Sequence, residues 1–216
     1  MGGALGCADV VTYEKGVTPS GPPRARVSAG AGWGRSFLAF GEEDVTVDKF
    51  VVVGSSDLFL GKYTLTLGVG GAPAGSVVGE RATWELRSGF LASAALSWRV
   101  VDEGATLPFV VFNAALSALL AKALLDEQVG DYRATDFRFS ATAGKSLEWV
   151  TAYLSLRVFG GPVFLTTDGE TRVGGDRYHV QAALGAVFAL PAGFDLFGEL
   201  APVAEESVFA GVGYRY

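Results

Sequence analysis

Nucleophilic chemistry in this chain would depend on its one histidine, His179, which ends the segment Asp176–His179. Hydrolases activate a serine hydroxyl through a hydrogen bond to an imidazole that a third group orients. No serine is adjacent to His179 in the sequence. We therefore predict no catalytic residue and a protein that is not an enzyme, with a hydrolase as a further alternative.

Metal and cofactor chemistry also has few candidate ligands. The chain has one cysteine, Cys7, and its acidic residues do not follow EF-hand spacing. The glycine-rich segment Gly68–Gly75 lacks the lysine and the hydroxyl residue of a phosphate-binding loop. The sequence therefore predicts neither a metal ion nor a cofactor.

A larger set of ionisable residues alternates with apolar residues. If the apolar positions face outward, the charged side chains share an interior, where they must pair because a buried lone charge is costly. A polar interior could also be a narrow constriction for small solutes, in which arginines favour anions. The predicted lumen set is Glu85, Arg87, Arg99, Asp136, Arg138, Arg157, His179, Glu199 and Arg215. Arg26, Asn113, Gln181 and Asp195 are predicted to face inward as well.

The composition excludes several classes of protein. Of the 216 residues, 50% are hydrophobic and 19% are charged, so the chain has ample apolar surface to bury and is not disordered. One cysteine excludes a disulfide scaffold. A net charge of −6 argues against nucleic acid as a partner, because such proteins need a basic surface.

The apolar residues are arranged for strands that alternate between two faces. Positions 81–101 alternate for some twenty residues, far beyond the roughly 5–6 residues of an ordinary strand. The most helix-like segment, Leu107–Leu125, contains Pro108 and Lys122 and is a weak membrane helix. A helix within it remains an alternative to a strand, because its alanine and leucine content favours helix.

Ten strands are predicted, an even number as bacterial single-chain barrels require. Their ranges are Arg24–Phe40, Asp44–Val53, Asp57–Val69, Arg81–Val101, Leu107–Lys122, Tyr132–Gly144, Leu147–Gly161, Tyr178–Leu190, Phe194–Leu200 and Ser207–Tyr216. Gly54–Ser56 is predicted to be a short turn on one side. The opposite side is predicted to have long loops at Gly70–Glu80, Ala123–Asp131, Gly161–Arg177 and Ala201–Glu206.

The C-terminal segment carries a family resemblance. From Glu206 it reads ESVFAGVGYRY, with apolar residues at every second position and a terminal aromatic residue. This pattern resembles the closing strand of small bacterial outer-membrane β-barrel proteins. The resemblance implies an all-β, transmembrane, antiparallel up-and-down barrel of about ten strands, with eight or twelve as alternatives. It also implies that the barrel assembly machinery reads this strand and that the protein is located in the bacterial outer membrane.

Aromatic residues near the strand ends are expected to form girdles at the two membrane interfaces. The predicted girdle residues are Trp84, Trp98, Tyr178, Tyr214 and Tyr216. The barrel is expected to cover residues 24–216, after an N-terminal lead of residues 1–23. Its Cys7 belongs to a remnant of an export cleavage site, is lipidated in a lipobox-like Leu5-Gly6-Cys7, or is incidental.

The functional prediction is a non-enzymatic barrel with a structural or surface-interaction role. Ten strands enclose a narrow interior, near the eight-stranded size that side chains fill. A porin-like channel for small solutes is the alternative, and a lipid-modifying hydrolase at the outer rim is a further one. The expected partners are outer-membrane lipid or lipopolysaccharide, the assembly machinery, and a surface ligand of unknown identity.

Overall fold

Strands make up most of the chain, as the alternation of apolar and polar residues predicts. The computed structural model describes residues 24–80, 82–125, 128–167 and 169–216. The N-terminal lead with Cys7 lies outside the described residues. The strands are β1 (Ala25–Phe40), β2 (Glu43–Leu60), β3 (Tyr63–Val78), β4 (Thr83–Val101), β5 (Phe109–Leu125), β6 (Gln128–Leu147), β7 (Val150–Gly160), β8 (Val163–Thr167), β9 (Glu170–Asp176), β10 (Val180–Ala189), β11 (Phe194–Ala201) and β12 (Glu206–Arg215). Among the described residues, no helix has the length and hydropathy needed to cross a membrane.

Ten of these strands close into an antiparallel barrel. Strands β1 to β7 pair in chain order, and β10, β11 and β12 follow β7. The last strand then pairs with the first, from Arg26–Arg215 to Arg35–Glu206. Closure pairs each barrel strand on both sides, as a structure that crosses hydrocarbon requires. The predicted fold class is confirmed, and the segment with helical propensity is strand β5. We call the end of the barrel that holds Tyr216 the inner end and the opposite end the outer end.

Strands β8 and β9 form a hairpin where the sequence predicts the long loop Gly161–Arg177. Strand β8 pairs with β6 through Asp131–Ala134, and β9 pairs with β1 at Leu38 and Ala39. The hairpin has room there because β12 stops at Glu206 opposite Arg35 of β1, and β7 stops at Gly160 opposite Phe137 of β6. The outer end is therefore an eight-stranded ring of β1–β6, β8 and β9. The predicted outer loops Gly70–Glu80 and Ala123–Asp131 are also mostly strand, since β3 extends to Val78 and β6 begins at Gln128. The predicted loop Ala201–Glu206 does join β11 to β12.

The inner turn between β2 and β3 corrects a second prediction. The turn lies at Gly61 and Lys62, and the predicted turn Gly54–Ser56 is inside strand β2. Gly61 has a φ of 67°, a left-handed conformation that glycine adopts without a steric penalty. The register Leu60–Tyr63 then continues the pairing of β2 with β3 up the barrel wall.

A β-bulge in β4 reverses which face of the strand points inward. The register of β4 with β5 shifts between Arg87 and Phe90. Below the bulge Arg99 is buried and Trp98 is exposed, as predicted. Above the bulge the even-numbered residues face inward, and below it the odd-numbered ones do, because a bulge inserts an extra residue into the two-residue repeat of a strand. Unlike the prediction, Glu85 and Arg87 therefore lie outside.

The outward face has an apolar band with charged and aromatic borders. On β6 the band lies between Arg133 and Lys145 and includes Phe137 and Phe139, which are 51% and 63% exposed. These twelve residue steps, at about 3.3 Å per residue and a tilt of roughly 40°, span about 30 Å, the thickness of a bilayer core. Aromatic side chains contact each other near the two borders, in the pairs Tyr63–Trp98, Trp149–Phe188, Tyr214–Tyr216 and Phe37–Tyr178.

Four of the five predicted girdle residues lie at these borders. Trp98, Tyr178, Tyr214 and Tyr216 are all at least 40% exposed on the outward face. Trp84 does not join them, because the bulge in β4 turns it inward, where it packs against the buried apolar cluster.

Candidate functional site

The barrel interior at the outer end is an apolar layer. It combines inward residues of β1 to β6 with Val163 and Leu165 of the β8–β9 hairpin. Trp84 and Phe197 pack against this layer as partly buried residues. Its fully or nearly fully buried members include Leu38, Val47, Val51, Leu86, Leu91, Leu119 and Ala123. The outer ring is therefore filled in the way a soluble domain core is filled.

A central ion cluster, made of Lys49, Asp136, Arg138 and Glu205, lies beneath the apolar layer. Arg138 Nη2 donates to Glu205 Oε2 at 2.7 Å and to Asp136 Oδ2 at 3.2 Å. Ser36 Oγ donates to Glu205 Oε1 at 2.9 Å and accepts from Lys49 Nζ at 3.4 Å. All four charged residues are buried, so each charge depends on the others for compensation.

The loop that joins β11 to β12 supplies Glu205, which is 4% exposed. Burial acts to raise the pKa of the Glu205 carboxyl, but the charges of Arg138 and Lys49 outweigh it and hold that pKa below its ordinary value. Gln181 Nε2 also donates to the Glu205 backbone oxygen at 2.5 Å. These contacts fasten the loop to the inside of the barrel.

A bidentate ion pair connects the central cluster to the inner half of the lumen. Arg157 donates from Nη1 and Nη2 to the two oxygens of Glu199, at 2.7 and 2.5 Å. The same carboxylate accepts from the Tyr153 hydroxyl at 3.1 Å, and Arg157 also donates to Gln181. Bidentate arginine–carboxylate pairs are strong and geometrically specific, so this layer holds a fixed arrangement.

An inner ion cluster, made of Arg26, Asp57, Asp195 and Arg215, fills the lumen near the inner end. Arg26 donates to Asp195 at 2.6 and 3.0 Å and to Asp57 at 3.0 Å. Arg215 Nε lies 3.2 Å from the second Asp195 oxygen. The Arg26 guanidinium also lies 5.0 Å from the ring centre of Phe197. One fully buried aspartate thus compensates two arginines, Arg26 of β1 and Arg215 of the closing strand β12.

Most of the predicted lumen residues do lie in the lumen. Arg99, Asp136, Arg138 and Arg157 are buried, and the Glu199 and Arg215 side chains are less than 10% exposed. Arg99 lies over the Phe109 ring at 5.5 Å and not in either ion cluster.

Three predicted lumen residues lie elsewhere. Glu85 and Arg87 pair with each other on the outside, with side chains 61% and 62% exposed. His179 is exposed at the bend before β10, where its Nδ1 lies 3.2 Å from the Phe159 carbonyl oxygen. The chain must bend there because β9 pairs with β1 while β10 pairs with β7, and this turns the imidazole out of the lumen.

The sequence analysis missed Lys49, Asp57 and Glu205 as interior residues. Lys49 and Asp57 lie on the odd-numbered face of β2, and the turn predicted at Gly54–Ser56 separated them into two strands. A continuous reading of β2 would have placed both on one face. Glu205 looked like part of the acidic outer loops. Among the described residues, no group of three or more His, Cys, Asp or Glu side chains is arranged to hold a metal ion.

Close backbone packing around Tyr153 provides a first test of the filled lumen. A Cβ added at Gly185 would lie 2.1 Å from Tyr153 Cζ, whereas one at Gly198 would meet its nearest atom at 3.7 Å. We expect Gly185→Ala to lower the free energy of unfolding by about 1–3 kcal/mol, because the tyrosine ring must move away from Glu199. Gly198→Ala is the matched control and should change it by less. Denaturant titration in detergent measures both, and equal stability of the two variants would contradict this packing.

Comparisons with known proteins identify the architecture. No protein-family model matches the chain, and no curated protein sequence matches it. The outer-membrane protease OmpT from Escherichia coli is similar in structure, with a TM-score of 0.54, 10% identity, and coverage of 89% of this chain and 96% of that one. The translocator domain of the autotransporter NalP from Neisseria meningitidis is also similar, with a TM-score of 0.50, 13% identity, and coverage of 92% and 90%. The chain therefore has the fold of the β-barrels found in the bacterial outer membrane.

Proposed function

We propose that this chain is a bacterial outer-membrane barrel with a closed lumen, which serves a structural or surface-interaction role and is not an enzyme. The single observation that carries the proposal is the apolar layer that fills the outer ring above the two ion clusters. An apolar band about 30 Å tall on the outside supports the location, because it matches the lipid-facing band of such barrels.

The order of the layers argues against conduction. A pore needs a continuous polar path, and hydrophobic constrictions close pores by excluding water. Here the charged groups of the inner half are paired with each other, and the outer half is filled mainly by apolar side chains of low exposure, with Ser36, Lys49 and Asp176 as buried polar residues. An ion that entered this layer would lose its hydration at a cost of several kcal/mol.

The outer rim offers little support for the hydrolase alternative. Among the described residues, the hydrogen-bond contact of the His179 imidazole is to the backbone oxygen of Phe159 and not to a serine or cysteine side chain that it could activate. The C-terminal strand β12 is proposed to contact the assembly machinery. This is supported by its alternating outward residues and by Tyr216, which is 63% exposed.

Single-channel recording in a planar bilayer tests the proposal. The refolded protein is expected to show no conductance steps above baseline, although protease protection shows that it is inserted. Arg157→Gln is the matched control and should also show no conductance steps, because the apolar layer closes the path and the arginine does not.

Stable conductance steps in the wild-type protein would contradict a closed lumen. A change in their ion selectivity in Arg157→Gln or Arg99→Gln would favour the narrow channel instead, since both arginines line the lumen.

A further inference from the structure

Five charged residues form a cluster on the outside of β4, β5 and β6. We call Glu85, Arg87, Lys122, Asp131 and Arg133 the outward charged cluster. The three basic side chains are 56% to 63% exposed. Since this chain carries a net charge of −6, a group of three exposed cations on adjacent strands needs an explanation.

The strand register places two of the cations directly opposite each other. Arg87 pairs with Lys122 across β4 and β5, and Lys122 pairs with Asp131 across β5 and β6. Like charges directly opposite each other on neighbouring strands are unfavourable. Asp131 compensates Lys122 at 2.6 Å, and Glu85 compensates Arg87 at 2.6 Å. An anion bound between the two cations would remove the remaining repulsion.

The third cation retains most of its hydrogen-bonding capacity. Arg133 Nη2 lies 3.7 Å from Asp131 Oδ2, beyond hydrogen-bond distance. The planar guanidinium groups of two arginines and the compact ammonium group of a lysine are side-chain groups that recognise phosphate oxygens. With two carboxylates against three cations, the cluster keeps one net positive charge.

The position of the cluster indicates the source of the phosphate. Leu120 lies two residues from Lys122 along β5 and is 51% exposed. Phe90, which lies beyond the bulge in β4, is 55% exposed. Both belong to the outward apolar band. The cations therefore lie where the apolar band ends at the outer end of the barrel, which is where lipid headgroups meet a membrane barrel.

We propose that the outward charged cluster binds the phosphate groups of a phosphorylated lipid in the outer leaflet. This inference rests on the membrane orientation in the proposed function. The lipid's acyl chains would lie along Phe90, Leu120 and Phe137, while Arg87, Lys122 and Arg133 hold its phosphates. Glu85 and Asp131 keep the cations in place before the lipid binds.

The barrel offers a matched control on a different pair of strands. Arg35 is 40% exposed on the outside of β1 and donates two hydrogen bonds to Asp48, at 2.8 and 3.2 Å. Glu206 faces it from β12, so the charges around Arg35 are net negative. This site also presents a partly exposed arginine on the outward face, and it lacks the cluster's excess of cations.

The test is binding of bisphosphorylated lipid A to the refolded full chain in detergent micelles, measured by native mass spectrometry. The variant Arg87→Gln/Lys122→Gln/Arg133→Gln is expected to bind the lipid about tenfold more weakly or worse, since it removes the charge-assisted hydrogen bonds that the cluster offers to phosphate. Arg35→Gln should bind like the wild type. The heat-dependent shift in gel mobility verifies that each variant is folded, and Arg133→Gln alone provides a milder variant.

Three results would overturn the proposal. One is an unchanged affinity in both the triple and the single cluster variants while they are folded. Another is equal binding of a dephosphorylated lipid A. The third is binding of inorganic phosphate as tightly as the lipid, which would identify a free anion as the ligand. Failure of the proposed function is recorded separately, as conductance or failed insertion in the planar bilayer.

Discussion

Replacing Asp195 by alanine is expected to lower the free energy of unfolding by about 3–5 kcal/mol, the cost of breaking a buried ion pair. Asp195 is fully buried and compensates both Arg26 and Arg215. Its removal leaves Arg26 with Asp57 as a single acidic partner and takes from Arg215 the carboxylate that lies 3.2 Å away. Denaturant titration of the refolded barrel in detergent measures the change.

Two variants show whether burial of the charge causes the loss. Asp102→Ala removes an exposed carboxylate 3.7 Å from Lys62 and should change the stability by less than about 1 kcal/mol. Asp195→Asn/Arg215→Gln removes a negative and a positive charge together and should be less destabilised than Asp195→Ala. A loss below 1 kcal/mol in Asp195→Ala would mean that water reaches the inner ion cluster.

Alternation along the chain predicts strands well because the strand period is fixed by backbone geometry. It does not state which face of a strand points inward. On β2 the apolar residues Val45, Val47, Val51 and Val53 would suit lipid, yet all four are buried inside the barrel. The outward positions Phe50 and Val52 are also apolar, so both faces of this strand fit a membrane or a core.

Local irregularities account for most of the misplaced site residues. One bulge between Arg87 and Phe90 moves Glu85 and Arg87 outside and Trp84 inside. A residue-by-residue alternation continues through such a point. Gly89, between Arg87 and Phe90, is the local signal for the bulge in β4, because an isolated glycine inside a strand often marks a bulge. Below the bulge the same alternation places Arg99 correctly.

Long-range pairing explains the rest. Whether Gly161–Arg177 is a loop or a hairpin depends on the outer edges of β1 and β6. Those edges are free to pair with it because their neighbours β12 and β7 are short. Those edges lie more than a hundred residues away in sequence for β1. The dipeptide Asp168-Gly169 is a local hairpin signal, but it does not reveal which edges the hairpin pairs with. The burial of Glu205 follows from the same arrangement, because the short β11–β12 loop ends inside the outer ring.

Replacing Glu205 by glutamine is expected to lower the free energy of unfolding by about 3–5 kcal/mol at neutral pH. Arg138 would lose its partner at 2.7 Å, and Lys49 would lose a compensating charge in a fully buried position. The loop between β11 and β12 would keep only the contact from Gln181 to its backbone and a weaker one from Ser36. Glu206→Gln is the matched control, because the neighbouring carboxylate is half-buried on the outward face, and it should change the stability by less than about 1 kcal/mol.

The pH dependence of this loss has a defined direction. The folded pKa of Glu205 lies below its ordinary value of 4.5, so its contribution is fully present above that pH and is lost as pH falls through the folded pKa. The stability difference between the wild type and Glu205→Gln should therefore be largest above pH 4.5 and should shrink in acid. A difference that stays constant from pH 7 down to about pH 3 would show that the carboxylate charge is not what holds the loop. The loop would then be fixed by packing under the β8–β9 hairpin, and the central ion cluster would be a consequence of closure and not its cause.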